Sequence, residues 1–324
     1  TQDDIREIVE YCHRRFIKVV PEFDIPGHMV AAIACYPELA CFPRKLEVAT
    51  HWGVKHDILC AGKDSTYAFV FDIIDELCEL FPDEYFHLGG DEAVKMRWKI
   101  CPHCQEKMQA ENIPNEEQLQ HYFMSRVAAH VKEKGKIPMM WNYDGVESTA
   151  FLDRDIVWQI CGVNKQNDML ERELQNGRKM FNSSAYPYYL DFPYAWANLK
   201  FAYEFEPDMG ENMFGVEAPL WTEYVPTQNK ADYCTFPRLG AIAETAWSAP
   251  EDKSYARFHE GLPEYFDLLN AYDVRYATMK QAMPSWGRGK IQSLWFNRRV
   301  LHWQGLHNLI DDAKVESKAK KGKI

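Results

Sequence analysis

The segment richest in chemistry is Tyr85-Phe86-His87-Leu88-Gly89-Gly90-Asp91-Glu92. A short apolar run enters two glycines, which let the backbone turn tightly and a ligand approach closely. Adjacent carboxylates at a strand end cannot point the same way, because neighbouring side chains diverge. Asp91 and Glu92 can therefore serve different tasks, and paired carboxyls are raw material for acid–base chemistry. A bare Asp-Glu also suits the first turn of a helix. The preceding His-x-Gly-Gly argues against that plainer reading.

A second cluster is Pro21-Glu22-Phe23-Asp24-Ile25-Pro26-Gly27-His28. Asp24 and His28 flank a rigid Pro-Gly turn, and a His near an acid can tune its proton affinity or hold its rotamer. A lone His would more often be a structural hydrogen-bonder.

These residues need a scaffold. Helical spacing covers 3–15, with Asp3 or Asp4 as cap, and also 67–80, 116–134, a stretch ending at Leu174, 230–247 and 255–269. Short β-branched or apolar runs at 16–23, 84–88, 137–141, 155–160, 179–183 and 213–220 read as strands. Strands alternating with helices imply parallel pairing through crossovers. Polar or aromatic residues follow five of the strands, which favours a (β/α)8 TIM barrel over a doubly wound sheet.

Composition narrows the function classes. The net charge of −11 disfavours nucleic acid and anionic membrane surfaces. The one basic run is the tail at 318–323. No apolar stretch approaches the roughly 18–20 residues of a membrane span. Aromatics make up 14%, which suits a sugar-stacking cleft and equally a large core. There are nine cysteines. Cys12, Cys35, Cys78 and Cys161 read as small core residues, and the usage fits a reducing, cytoplasmic compartment better than a disulfide framework. Cys101-Pro102-His103-Cys104 is a C-x-x-C with no second pair close by; Cys41 and Cys60 could supply one only through the fold. The expectation is free thiols at a loop and no metal.

Together the motifs resemble the family 20 glycoside hydrolases, the β-N-acetylhexosaminidases. Phe-Asp-x-Pro-Gly-His and His-x-Gly-Gly-Asp-Glu match in order and separation. Trp141 looks like the family's pocket Trp, Tyr189-Leu190-Asp191 like its Tyr-Leu-Asp, and Trp221-Thr222-Glu223 like its Trp-x-Glu. Pro237-Arg238-Leu239 opens the helix that follows. The choice of Tyr189 over Tyr188 rests on the following Leu-Asp.

The resemblance implies a retaining exo-β-N-acetylhexosaminidase working by substrate assistance on terminal N-acetylglucosamine or N-acetylgalactosamine of a glycan, without a cofactor. It implies Glu92 as acid and base, with a pKa raised by burial and by Asp91. Asp91 would hold the acetamido N–H and Tyr189 its oxygen. Trp141 and Trp221 would wall the ring, Asp191 and Glu223 bind remote hydroxyls, and His28 support Glu92; Asp24 and His28 are counted with these substrate-binding residues. As single residues, both tryptophans could equally be core; Trp98, Trp158 and Trp247 read as core or cleft rim.

Six of the eight barrel strands are identified, over residues 1–276, and 277–324 reads as a C-terminal helical extension with a basic tail. The family carries two more strands upstream, with a sugar-binding Arg and an Asp of the His28 network. An upstream segment or a homo-oligomer would complete the barrel, and the isolated chain is expected to turn over weakly or not at all. Cys161 stands about where the family often has another pocket Trp. Two alternatives stay open: a catalytically weak sugar-binding remnant, and a structural domain of a larger assembly.

Overall fold

The computed structural model describes all residues except 51–52, 143–147, 162–167, 208–209, 301–311, 319–320 and 322–324. The chain divides into two compact units. Unit 1 comprises Thr1–Gln159, Asp168–Lys179 and Trp303–Ile324; unit 2 comprises Ile160–Asn167 and Met180–His302.

Unit 1 opens with a helix, Gln2–His13, whose cap is Thr1 rather than Asp3 or Asp4. The Thr1 hydroxyl accepts from the Asp4 amide, and Asp4 reaches back to the terminal ammonium, a reciprocal capping box. Strand β1 (Tyr85–His87) pairs in parallel with β2 (Ile137–Asn142), Tyr85 opposite Ile137 and His87 opposite Met139. Strand β3 (Val157–Ile160) follows. The helices Asp64–Leu80 and Glu116–Glu133 provide the crossovers around β1 and β2. Ile25, Leu59, Phe86, Leu88, Trp98 and Phe123 are buried in its core.

The strand expected over 16–23 is reduced to a parallel bridge of Glu22 with His87. The amides of Arg15 and Ile17 turn back to the Cys12 carbonyl, and the Val19 amide goes to the Asp83 carboxylate. Ladder bonding therefore starts only at Pro21, whose carbonyl accepts from the His87 amide, and ends where Ile25 donates to Leu88.

In unit 2, β4 (Met180–Asn182) pairs in parallel with β5 (Met213–Val216) across a bulge. Its core gathers Tyr188, Leu190, Tyr194, Leu199, Tyr203 and Ile242. The helix expected over 230–247 is two helices, Gln228–Thr235 and Arg238–Trp247. Pro237 has no amide to donate, and it forces Phe236 into extended geometry. The helix Trp286–Val300 packs on the loop at 192–196: the Trp196 indole donates to Ser293, and Phe296 meets Phe192 edge-on.

The cysteine expectations need correction. Cys101 and Cys104 are not at a loop: both are buried, Cys101 as the cap of the helix Pro102–Ala110 and Cys104 within its first turn. Cys35 is exposed, and Cys12, Cys78 and Cys161 are only half-buried. Of the tryptophans left as core or rim, Trp98 and Trp158 are core, while Trp247 is exposed. No described helix is long and apolar enough to cross a membrane.

Candidate active site

The carboxylates of unit 1 meet just beyond β1. Gly89 and Gly90 both adopt left-handed backbone, φ +64° and +105°. A Cβ on Gly89 would lie 1.7 Å from Asp24 Oδ1, so only glycine lets the Asp24 carboxyl dock on this turn. The Gly90 amide donates to the same oxygen at 3.2 Å. His28 and Glu92 also sit at positive φ, 53° and 49°, conformations that cost non-glycine residues energy and collect at functional sites.

His28 stands among three acids. Its Nε2 is 3.5 Å from Glu92 Oε2, 3.8 Å from Asp24 Oδ2 and 3.9 Å from Asp91 Oδ2. Glu92 does not gain its setting from burial, as the resemblance implied: its side chain is 53% exposed. Burial falls on its neighbours instead. It lifts Asp24, with help from the Asp91 and Glu22 charges, to about 9. It also raises Asp91, against the pull of His28. Asp91 Oδ1 is buried and has no hydrogen-bond partner among the described residues.

Glu22 belongs to this cluster and was missed from the sequence. Burial pushes its pKa up, but the adjoining His87, the Trp141 indole N–H and the nearby His28 more than offset that and leave it lowered. It accepts from the Trp141 indole at 2.8 Å and faces His87 Nδ1 at 3.3 Å. The available signal was its two-residue offset from Asp24, which puts both side chains on one face of an extended segment. Trp141 is almost fully buried, edge-on to His87, and walls a pocket of about 360 Å³ with Gly90, Met140, Asn142 and Trp158. That pocket lies beside the carboxylates rather than around them: neither Asp91 nor Glu92 lines it.

Unit 2 carries the other four expected residues. Tyr188 is buried in the core against Phe205, while Tyr189 meets Trp221 with centroids 6.0 Å apart. The Leu190 amide donates to the Pro219 carbonyl, and the Trp221 amide to Asp191 Oδ1 at 3.4 Å. These bonds tie the Tyr-Leu-Asp and Trp-Thr-Glu segments together. Burial raises Asp191 to about 6 despite the Trp221 amide. Glu223 is exposed. Cys161 is half-buried, and its carbonyl accepts from the Ala185 amide.

Arg238 shapes this region, which its place at a helix start did not reveal. It is fully buried, and its guanidinium donates to the carbonyls of Leu190, Phe192, Ala197 and Cys234. It also stacks over Tyr194 at 4.1 Å. One planar fork thus fixes the loop that follows Tyr189.

The model of the glycosyl hydrolase family 20 catalytic domain matches residues 1–250. A β-hexosaminidase of Porphyromonas gingivalis is 35% identical over 85% of this chain and 37% of its own length. One of Akkermansia muciniphila is 31% identical over 83% of this chain and 57% of its own. The chain therefore spans about a third to just over half of these relatives. The crystal structure of a β-N-acetylhexosaminidase from Bacteroides fragilis superposes with a TM-score of 0.77 at 28% identity, covering 88% of this chain and 59% of that one. The barrel class expected from the alternation of strands and helices is the class of these structures. With its His-x-Gly-Gly-Asp-Glu turn and both parallel strand pairs in place, the chain belongs to the catalytic-domain family of glycosyl hydrolase family 20.

Proposed function

We propose that the complete protein is a retaining exo-β-N-acetylhexosaminidase that removes terminal β-linked N-acetylhexosamine from a glycan. The observation that carries this reading is Asp91 Oδ1, a buried acceptor without a partner, next to the exposed Glu92 carboxyl. A buried acceptor left unpaired costs about 1–3 kcal/mol, so it suits a donor that the substrate brings. The acetamido N–H of an N-acetylhexosamine is such a donor.

In the proposed reaction the acetamido oxygen attacks the anomeric carbon of its own sugar. The nucleophile is tethered, so little ordering entropy remains to be lost. Glu92 protonates the departing glycosidic oxygen, and its exposed carboxyl has the reach to do so. Asp91 accepts the acetamido N–H and offsets the positive charge of the oxazolinium ion. Glu92 then takes a proton from the water that opens this ring, and the configuration is retained. His28 would hold the three carboxyl groups in order. Asp24, lifted to about 9, stays protonated at neutral pH and adds no further negative charge beside Asp91.

The remaining roles rest on the family resemblance. Tyr189 would orient the acetamido oxygen, Trp141 and Trp221 would wall the ring, and Asp191 and Glu223 would bind remote hydroxyls. Residues 1–276 would form the catalytic region and 277–324 an appended helical segment. The test is release of a chromophore from an N-acetyl-β-glucosaminide by the complete protein. Glu92→Gln should reduce it at least ~100-fold, the scale of a lost acid–base group. Undiminished release by that variant would remove Glu92 from the role.

A further inference from the structure

Four cysteines from three separate stretches converge in unit 1. Cys41, Cys60, Cys101 and Cys104 are all buried, and their four sulfurs lie within 4.8 Å of one another. The separations are 3.8 Å for Cys41–Cys104 and 3.7 Å for both Cys60–Cys101 and Cys60–Cys104. A disulfide needs about 2.05 Å, so none of these is a bond. A tetrahedral ion with metal–sulfur bonds of about 2.3 Å sets its sulfurs about 3.8 Å apart along each edge. The observed spacings are those of such an edge. An iron–sulfur cluster of several metal atoms would hold its thiolates further apart.

The backbone around the sulfurs is built for this approach. An antiparallel bridge between Ala40 and Leu59 sets the Cys41 and Cys60 segments side by side. A Cβ on Gly62 would fall 2.2 Å from the His103 carbonyl carbon and 2.4 Å from the Cys104 nitrogen. Glycine at 62 is therefore what lets that segment press onto the C-x-x-C turn. The buried Trp98 indole donates to the Leu59 carbonyl at 2.9 Å, a direct tie between the Cys60 segment and the one leading to Cys101. Cys101 caps the nine-residue helix Pro102–Ala110, so the positive end of the helix faces the sulfurs and favours thiolates.

We propose that Cys41, Cys60, Cys101 and Cys104 bind one structural zinc ion as a closed tetrathiolate. Four protein ligands leave no open position, which is the form of a structural and not a catalytic site. Zinc is favoured over iron by thiolate affinity among common divalent ions and by the absence of any redox demand on a closed knuckle. The knuckle ties together two stretches of chain. One leads from His28 through Cys41 to Cys60, and the other from Glu92 through Trp98 to Cys104. The ion thus braces the two segments that present the carboxylates. A buried ion pair between Arg97 and Asp312, which also bonds His56, supports the same region.

The experiment is metal analysis of the full chain, purified without chelator. One zinc per chain is expected, and Cys101→Ser/Cys104→Ser should lose it. Replacement by cobalt should give the intense visible bands of a tetrahedral cobalt tetrathiolate, a readout that needs no variant to fold. Strong chelation should release the zinc, expose four thiols to alkylation and lower the unfolding temperature. Three results would overturn the proposal: metal-free native protein, iron in place of zinc, or zinc retained by the double variant. None of these outcomes depends on glycosidase activity, so the site and the proposed function stand or fall separately.

Discussion

Asp24→Asn should stabilise the protein, by an amount that depends on pH. Burial and the charges of Asp91 and Glu22 lift Asp24 in the folded chain to about 9. Unfolded aspartate titrates near ~3.9. Between these values the native state keeps a proton that the unfolded state has released. Stability is therefore greatest below the window and falls as pH rises through it. At pH 7 about three pH units of that window have been crossed, which at ~1.4 kcal/mol per unit gives a ceiling of ~4 kcal/mol. The carboxyl is 28% exposed and shares its repulsion with Asp91. Solvent screening of that kind reduces the figure to about 2 kcal/mol. Asparagine keeps the shape and can still accept from the Gly90 amide, but it does not titrate. Urea denaturation of both proteins from pH 4 to 8 should show nearly equal stability at pH 4 and a gap of about 2 kcal/mol in favour of asparagine at pH 7. Parallel stability curves, or a less stable variant at pH 7, would refute the reasoning.

Other perturbations act on single contacts. Gly89→Ala puts a Cβ where Asp24 Oδ1 lies and strains a φ of +64°, so chromophore release should fall about 100-fold while circular dichroism stays native. Arg238→Met leaves carbonyls of four residues without their shared donor, which should destabilise unit 2 by about 3 kcal/mol in a thermal or urea melt. Arg238→Lys should recover only part of it, since an ammonium cannot reproduce the fork. His28→Gln removes the imidazole that does most to lower Asp91, so the acid limb of the kcat/KM profile should move to higher pH. An unmoved limb would separate His28 from Asp91.

Much of the site was legible because its residues lie close together in sequence. The Gly-Gly turn, the Asp91–Glu92 pair and the Asp24–His28 turn are each local signals, and the structure brings them together in one cluster. The short apolar runs located β1 to β5 to within a few residues, since strands buried on both faces leave a continuous local apolar signal. The strand expected at 16–23 was overstated because side-chain type cannot reveal that Arg15, Ile17 and Val19 give their amides to other partners. Pro237 was a visible helix breaker within 230–247, and the apolar periodicity on either side obscured it. The four cysteines could be named from the sequence, but their convergence was not legible. Its ligands are separated by 18 and 40 residues between Cys41, Cys60 and Cys101, so only the folded loops bring them together. Arg238 was hidden for a similar reason, since its partners are carbonyls, which have no sequence signature.

The central claim is that Asp91 and Glu92 serve a reaction in which the sugar's own acetamido group is the nucleophile. Its most direct test is calorimetric binding of a thiazoline analogue of the bicyclic intermediate to the complete protein and to Asp91→Asn. The account predicts tight binding to the first, and binding weakened at least ~10-fold in the variant, about the worth of one charge-assisted hydrogen bond. Hydrolysis of an N-acetyl-β-glucosaminide by a protein that does not bind the thiazoline would contradict it.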